Sequence, residues 1–176
     1  MEKKVTTIQN PIIEGNLTFT FPHGASSTKY DDWSFYRNQF NSAFGGTKAV
    51  DIIYLEDDIC WFIEIKDYRA SSRTKPIDLG EEVALKVRDA MSGISAASFN
   101  ANNPGEKNFS RNALRKERFR VVLHLEQPKK HSKLFPRAIN PASVQLKLKQ
   151  YLRGVDPHPV VVDKHTLRQV MQWQVV

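Results

Sequence analysis

Apolar and polar positions alternate most clearly between Lys48 and Arg69. There two apolar, β-prone runs flank the polar turn Glu56-Asp57-Asp58, which predicts a β-hairpin. Side chains alternate faces along a strand, so Cys60, Phe62, Glu64 and Lys66 share one face, and Trp61, Ile63 and Ile65 the other. Both faces carry large apolar groups, which predicts that both are covered. Leu17–Phe21 also alternates and predicts a short strand stopped by Pro22, followed by a loop over 23–27. Trp33, Tyr36, Phe40 and Phe44 recur at helical spacing, predicting a helix capped by Asp31 or Asp32 and stopped by Gly45-Gly46.

Beyond the hairpin, Asp78 followed by Glu81 reads as a capping box. Leu79, Val83, Val87, Met91 and Ile94 continue as an apolar stripe, predicting a long helix from Leu79 to about Ser98. Phe119–Leu125 is nearly all apolar and reads as an internal strand, with His124 buried and hydrogen-bonded. Asn140-Pro141 opens a helix whose inner side is Val144, Leu148, Tyr151 and Leu152. Pro159–Val162 is a last strand. Asp163 caps an expected final helix with Leu167, Val170 and Met171 inward, and Trp173 pins the terminus.

This order predicts an α/β three-layer sandwich, a mixed central sheet flanked by helices. Residues 1–176 read as one domain, with 1–15 a loose lead and 126–176 a C-terminal extension of the core. No repeat or long linker divides the chain.

Charge adds a partner. Lys and Arg exceed Asp and Glu by 26 to 19, a formal net charge of +7, which favours a polyanion such as nucleic acid. The single cysteine, Cys60, excludes an internal disulfide and a thiolate metal cluster, and it reads as packing. No apolar run reaches membrane-span length and Met1–Thr7 lacks a signal-peptide core, so the expectation is a cytoplasmic protein without a membrane partner.

Three ionisable residues interrupt the apolar hairpin: Asp51, Glu64 and Lys66. Charges within core strands are costly unless paired or bound to metal. Two carboxylates meeting beside an ammonium could hold Mg²⁺, a hard cation that prefers oxygen, and so activate water against a phosphodiester. The same residues also read as a structural ion cluster. Glu82 and Lys86, four apart on the long helix, are either an ion pair on one face or a polar contribution to the site. The loop residues Arg69, Arg73 and Lys75, and the cluster Arg111 and Arg115, are either phosphate contacts or solvated charge.

Val50-Asp51 and Glu64-Ile65-Lys66, with the hairpin between them, resemble the motif of the PD-(D/E)xK nuclease superfamily, the restriction-endonuclease-like fold. Val50 stands where the motif's name has proline. The resemblance implies Asp51, Glu64 and the Ile65 backbone carbonyl as metal ligands, Lys66 as the catalytic lysine, and Mg²⁺ (or Mn²⁺) as cofactor. It implies a metal-dependent nuclease acting on DNA, an endonuclease before an exonuclease, as a homodimer where both strands are cut. The alternative is a catalytically silent module of that fold that binds nucleic acid or a partner protein. The superfamily's additional acid has candidates in Glu14, Asp31 and Asp32, none assigned.

Overall fold

The computed structural model of the chain describes residues 11–128, 139–168 and 171–176. The elements that organise it are the expected hairpin, β4 (Ile52–Glu56) and β5 (Ile59–Asp67), and the helix behind it, α1 (Leu79–Asn100). The hairpin pairs antiparallel with Ile52 opposite Ile63 and Leu55 opposite Cys60. Asp57, at the turn, takes φ +32. The carboxylate of Asp78 caps α1 by accepting from the Gly80 and Glu81 N–H groups, which satisfies two of the donors a helix start leaves open.

Three strands complete the main sheet. β3 (Ser26–Lys29) pairs antiparallel with β4, while β6 (Arg118–Glu126) runs parallel to β5 and β7 (Val160–Val162) parallel to β6, giving the order β3-β4-β5-β6-β7. The parallel β5–β6 step needs a long crossover, which α1 and α2 (Pro104–Leu114) supply. A third helix, α3 (Pro141–Tyr151), is capped by Asn140 through the Ala142 N–H, as its Asn-Pro start predicts.

The period-2 reading of β5 holds. Cys60 and Phe62 pack in the cluster on the helix side with Val83, Val87 and Ile94; Trp61, Ile63 and Ile65 pack in a separate cluster on the other side. What covers that second face differs from the expected helices. It is a small antiparallel sheet, β1 (Ile12–Glu14), β2 (Leu17–Thr20) and β8 (Gln174–Val175), ordered β1-β2-β8. Its Leu17, Phe19 and Val175 meet Ile52, Trp61 and Val122. The α/β class and the mixed five-stranded sheet stand; the layers are helices, sheet, and small sheet.

Other local expectations also give way. Residues 11–15 hold strand β1 where a loose lead was expected; residues 1–10 lie outside the described residues. Ser26 and Ser27, read as loop, join edge strand β3 through backbone pairing that their polar side chains do not advertise. The helix expected up to Phe44 breaks into a 3-10 turn at Tyr30–Asp32, a π turn at Tyr36–Phe40 and a 3-10 turn at Ala43–Gly45. Neither Asp31 nor Asp32 caps it. Glu106 of α2 does so from across the fold, accepting from the Ser34 N–H at 2.8 Å and the Phe35 N–H at 3.0 Å. Phe44, expected inward, has φ 56 and points to solvent.

The expected final helix is replaced by a turn in which Asp163 accepts from the His165 and Thr166 N–H groups, and then by β8. Val170 lies outside the described residues. Trp173 does pin the terminus, buried against Trp61, Tyr54 and Phe21. Strands β7 and β8 enter different sheets, so the segment after 126 is woven into both.

Candidate functional site

Continuing the β4–β5 register by one residue sets Asp51 opposite Glu64. Asp51 then turns inward, and its Oδ2 accepts the Ile65 N–H at 2.6 Å. Glu64 is on the helix face of β5 and fully buried. Lys86 of α1 reaches it from above, with Nζ 2.5 Å from Glu64 Oε1 and 3.9 Å from Asp51 Oδ1. Lys66 bonds the same Oε1 at 2.7 Å. One helical turn before Lys86, Glu82 gathers Arg73 at 2.6 Å, Lys75 at 2.7 Å and Lys66 at 3.6 Å.

The structure thus brings Asp51, Glu64, Lys66, Glu82 and Lys86 into one network between β5 and α1. Three carboxylates there face four cations, so the cluster is neutralised from within. Burial pushes the Glu64 carboxyl up to about 7, helped by the Asp51 charge and opposed by Lys86 and Lys66. Burial raises Asp51 as well, against Lys86 and the Ile65 N–H. Burial works against the Lys66 charge, yet Glu64 and Glu82 outweigh it and raise that ammonium. At Glu82 burial also opposes ionisation, but hydrogen bonds from Lys75 and Arg73 win and hold it down to about 2.

Could the site take a hard cation? Among the described residues, Asp51 Oδ1 accepts no hydrogen bond, though Lys86 lies 3.9 Å away, and Glu64 Oε2 is buried without a hydrogen-bond partner. The Lys86 ammonium spans the two carboxylates, so a divalent ion and Lys86 compete for the same charge. Among the described residues no group of three His, Cys, Asp or Glu side chains is arranged to hold a metal. Asp51 and Glu64 fit only an ion that keeps most of its waters, which is the habit of Mg²⁺. The unassigned acids lie towards the Asp51 side: Glu14 pairs with Lys29 at 2.8 Å, and burial pushes Asp31 up to about 6, with Asp51 adding to the rise.

The basic residues divide. Arg73 turns inward, bonding Glu82, the Ile77 carbonyl and the Tyr68 hydroxyl, so it holds the loop to α1 and offers little to a ligand. Arg69 is clamped bidentately to Asp67, and Lys75 is spent on Glu82 although its side chain is exposed. Arg111 is exposed and donates Nε to the Ser98 carbonyl, pinning α2 to α1. Arg115 is exposed without an ion pair among the described residues, and it lines a groove at the Glu56–Asp57 turn. Seven residues of strand rise separate Ile59, next to that turn, from Lys66, about 23 Å. Arg111 and Arg115 therefore belong to a different end of the molecule from the charge cluster.

Sequence reasoning overlooked Glu106, whose capping of residue 34 no local pattern announces. It also overlooked Asp89, which accepts the Lys48 N–H at 2.9 Å and so fixes the approach to Asp51. His124 is buried as expected, its Nε2 3.0 Å from Glu126 Oε1, and burial lowers it against the pull of Glu126. Cys60 is buried and its thiol is pushed up by burial, in keeping with a packing role. No described helix is long and apolar enough to cross a membrane.

No family model matches the chain, and no solved structure is a significant match. A cysteine–tRNA ligase of Neisseria meningitidis serogroup A is 34% identical over 176 aligned residues, covering 81% of this chain. The chain spans about a quarter of that relative's length, 25%. This match overturns the resemblance to the PD-(D/E)xK nucleases. The relative is named as a ligase acting with tRNA, and a Mg²⁺-dependent deoxyribonuclease, endonuclease or other hydrolase no longer describes the chain. The meeting of Asp51, Glu64 and Lys66 is a fact of the fold; the nuclease activity inferred from it is withdrawn.

Proposed function

We propose that this chain is a tRNA-engaging domain of the kind that accompanies an aminoacyl-tRNA synthetase, holding RNA while the ligation chemistry belongs to other parts of such an enzyme. The likeness of most of this chain to a quarter of a cysteine–tRNA ligase carries the reading. Charge agrees with it: the net +7 favours a polyanion, and Arg111, Arg115 and Lys116 lie together where α2 meets β6. The buried cluster of Asp51, Glu64, Lys66 and Lys86 is then the internal brace between β5 and α1. Asp51, Glu64 and the Ile65 carbonyl are the oxygens that would take Mg²⁺ or Mn²⁺, with Lys86 as the ion's competitor. A cytoplasmic setting belongs to the same reading.

The test is fluorescence anisotropy with a labelled cysteine-accepting tRNA and a DNA duplex of similar charge, across a salt series. The expected result is tRNA binding that weakens linearly in log–log salt, with the duplex at least about 10-fold weaker. Equal affinity for both, absence of binding at low salt, or shortening of either nucleic acid in Mg²⁺ would overturn it.

A further inference from the structure

At the turn end of the hairpin, remote from the buried charge cluster, lies a groove of about 610 Å³. Ligand sites of nucleotide size fall within roughly 300–1,000 Å³. Three separate parts of the chain build it: the loop after β2, the β4–β5 turn, and the C-terminal end of α2, with Gln172 closing one side. Tyr54 and Leu55 lining it are buried core residues of β4, so that wall is rigid. Pro22, Gly24 and Ala25 form part of the loop wall, and the remaining lining side chains are polar.

We infer that this groove receives one unpaired nucleotide of RNA, the base inside and its phosphate on Arg115. The inference rests on the tRNA reading and gives it a place. Arg115 has its charge unspent among the described residues, whereas neighbouring Lys116 already donates to the Asp57 carbonyl. Asn112 and Gln172 each bring an amide that donates and accepts in one plane, the pattern that reads a base edge. Glu56 is held by the Trp61 indole N–H at 2.9 Å with its other carboxylate oxygen buried beside the Tyr54 phenol, so it lines the groove as a fixed negative charge rather than as an open acceptor. His23, exposed at the rim, offers a ring for stacking. Glu56 and Asp57 repel phosphate, so the backbone of the nucleic acid is confined to the Arg115 side. A duplex cannot place a paired base here, which makes the groove selective for loops and single-stranded ends.

The experiment measures anisotropy of a fluorescein-labelled, unstructured pentaribonucleotide and of labelled tRNA against the full chain. The variants are Asn112→Ala, Gln172→Ala and Arg115→Ala, with Arg153→Ala as an exposed control outside the groove. Asn112→Ala and Gln172→Ala are expected to weaken the oligonucleotide about 5-fold or more at unchanged salt slope. Arg115→Ala is expected to reduce that slope by about one, and Arg153→Ala to leave binding as it was. Circular dichroism checks that each variant folds. A 4-thiouridine oligonucleotide should photo-crosslink to peptides containing His23 or Tyr54. If tRNA binds the wild type and every groove variant alike, the groove assignment falls and the tRNA reading stands. If the oligonucleotide depends on the groove residues but tRNA does not bind, the tRNA reading falls and the groove remains. If neither nucleic acid binds, both fall.

Discussion

Asp51 Oδ2 accepts the Ile65 backbone N–H at 2.6 Å, tying the residue before β4 to the strand that carries Glu64. The bond replaces a ladder contact at the point where the hairpin opens, and it fixes the Asp51 carboxylate towards α1. Asp51→Ala removes the acceptor and leaves a buried donor unsatisfied, so a loss of about 1–3 kcal/mol is expected. Asp51→Asn keeps an acceptor oxygen and should lose less. Urea unfolding of both variants checks the order; equal losses would mean that the bond contributes nothing measurable.

Glu64 gives the fold a pH dependence of unusual sign. Its carboxyl is raised in the folded state from 4.5 to about 7, so the folded chain holds a proton that the unfolded chain has released. Its contribution to stability is full below pH 4.5 and is lost as pH rises through about 7, a difference of about 3 kcal/mol at most. Glu82 acts in the opposite direction: held down to about 2, its contribution is present above 4.5 and lost as pH falls. In metal-free buffer with chelator, the stability of Glu64→Gln should therefore fall less than that of the wild type between pH 4.5 and 7. Parallel pH profiles for the two proteins would dismiss the protonated Glu64.

Lys86 and a divalent ion answer the same need, because the ammonium spans Glu64 Oε1 and Asp51 Oδ1 at 2.5 and 3.9 Å. Lys86→Ala removes one partner of a buried pair, and a cost of about 3–5 kcal/mol follows if the carboxylates stay charged. Mg²⁺ or Mn²⁺ should then raise the melting temperature of Lys86→Ala more than that of the wild type; an ion at 100 times its Kd returns about 2.7 kcal/mol. The double variant Lys86→Ala/Asp51→Ala should lose that response. An unchanged melting temperature for Lys86→Ala in millimolar metal would show that these oxygens do not hold an ion.

The sequence announced those parts of the fold whose causes are local. The hairpin followed from period-2 alternation around a polar turn. Helix α1 followed from Asp78 and the stripe behind it, and α3 from Asn140-Pro141. The ionisable residues inside apolar runs, Asp51 and Glu64, stood out because a core strand tolerates them only with partners. What stayed hidden depends on distant chain. Glu106 caps residue 34 from α2, β3 exists because β4 offers its backbone, and the three- and two-residue strands β1 and β8 are too short to carry a pattern. Arg73 reads as a solvated loop cation until Glu82, fixed on α1, is seen to draw it inward.

Gly93 on α1 is a close approach that only glycine permits. A Cβ built there would lie 1.9 Å from the Tyr30 hydroxyl oxygen and 3.1 Å from the Phe40 ring. Tyr30 is fully buried, its hydroxyl has no hydrogen-bond partner among the described residues, and it stands between the sheet and the turns that carry Trp33 and Tyr36. Gly93→Ala must push α1 away or drive Tyr30 from its place, and overpacking of this kind costs about 1–3 kcal/mol. Tyr30→Phe deletes an oxygen that makes no bond, so alone it should be near neutral or mildly stabilising. It also deletes the atom that the new methyl group would strike. The double variant should therefore be more stable than the sum of the single effects predicts, a coupling within the roughly 0.5–3 kcal/mol seen between residues in contact. Thermal and urea unfolding of the four proteins of the cycle measures it. Simple additivity would locate the strain at Phe40 instead, and Phe40→Leu in the Gly93→Ala background would then be the substitution that relieves it.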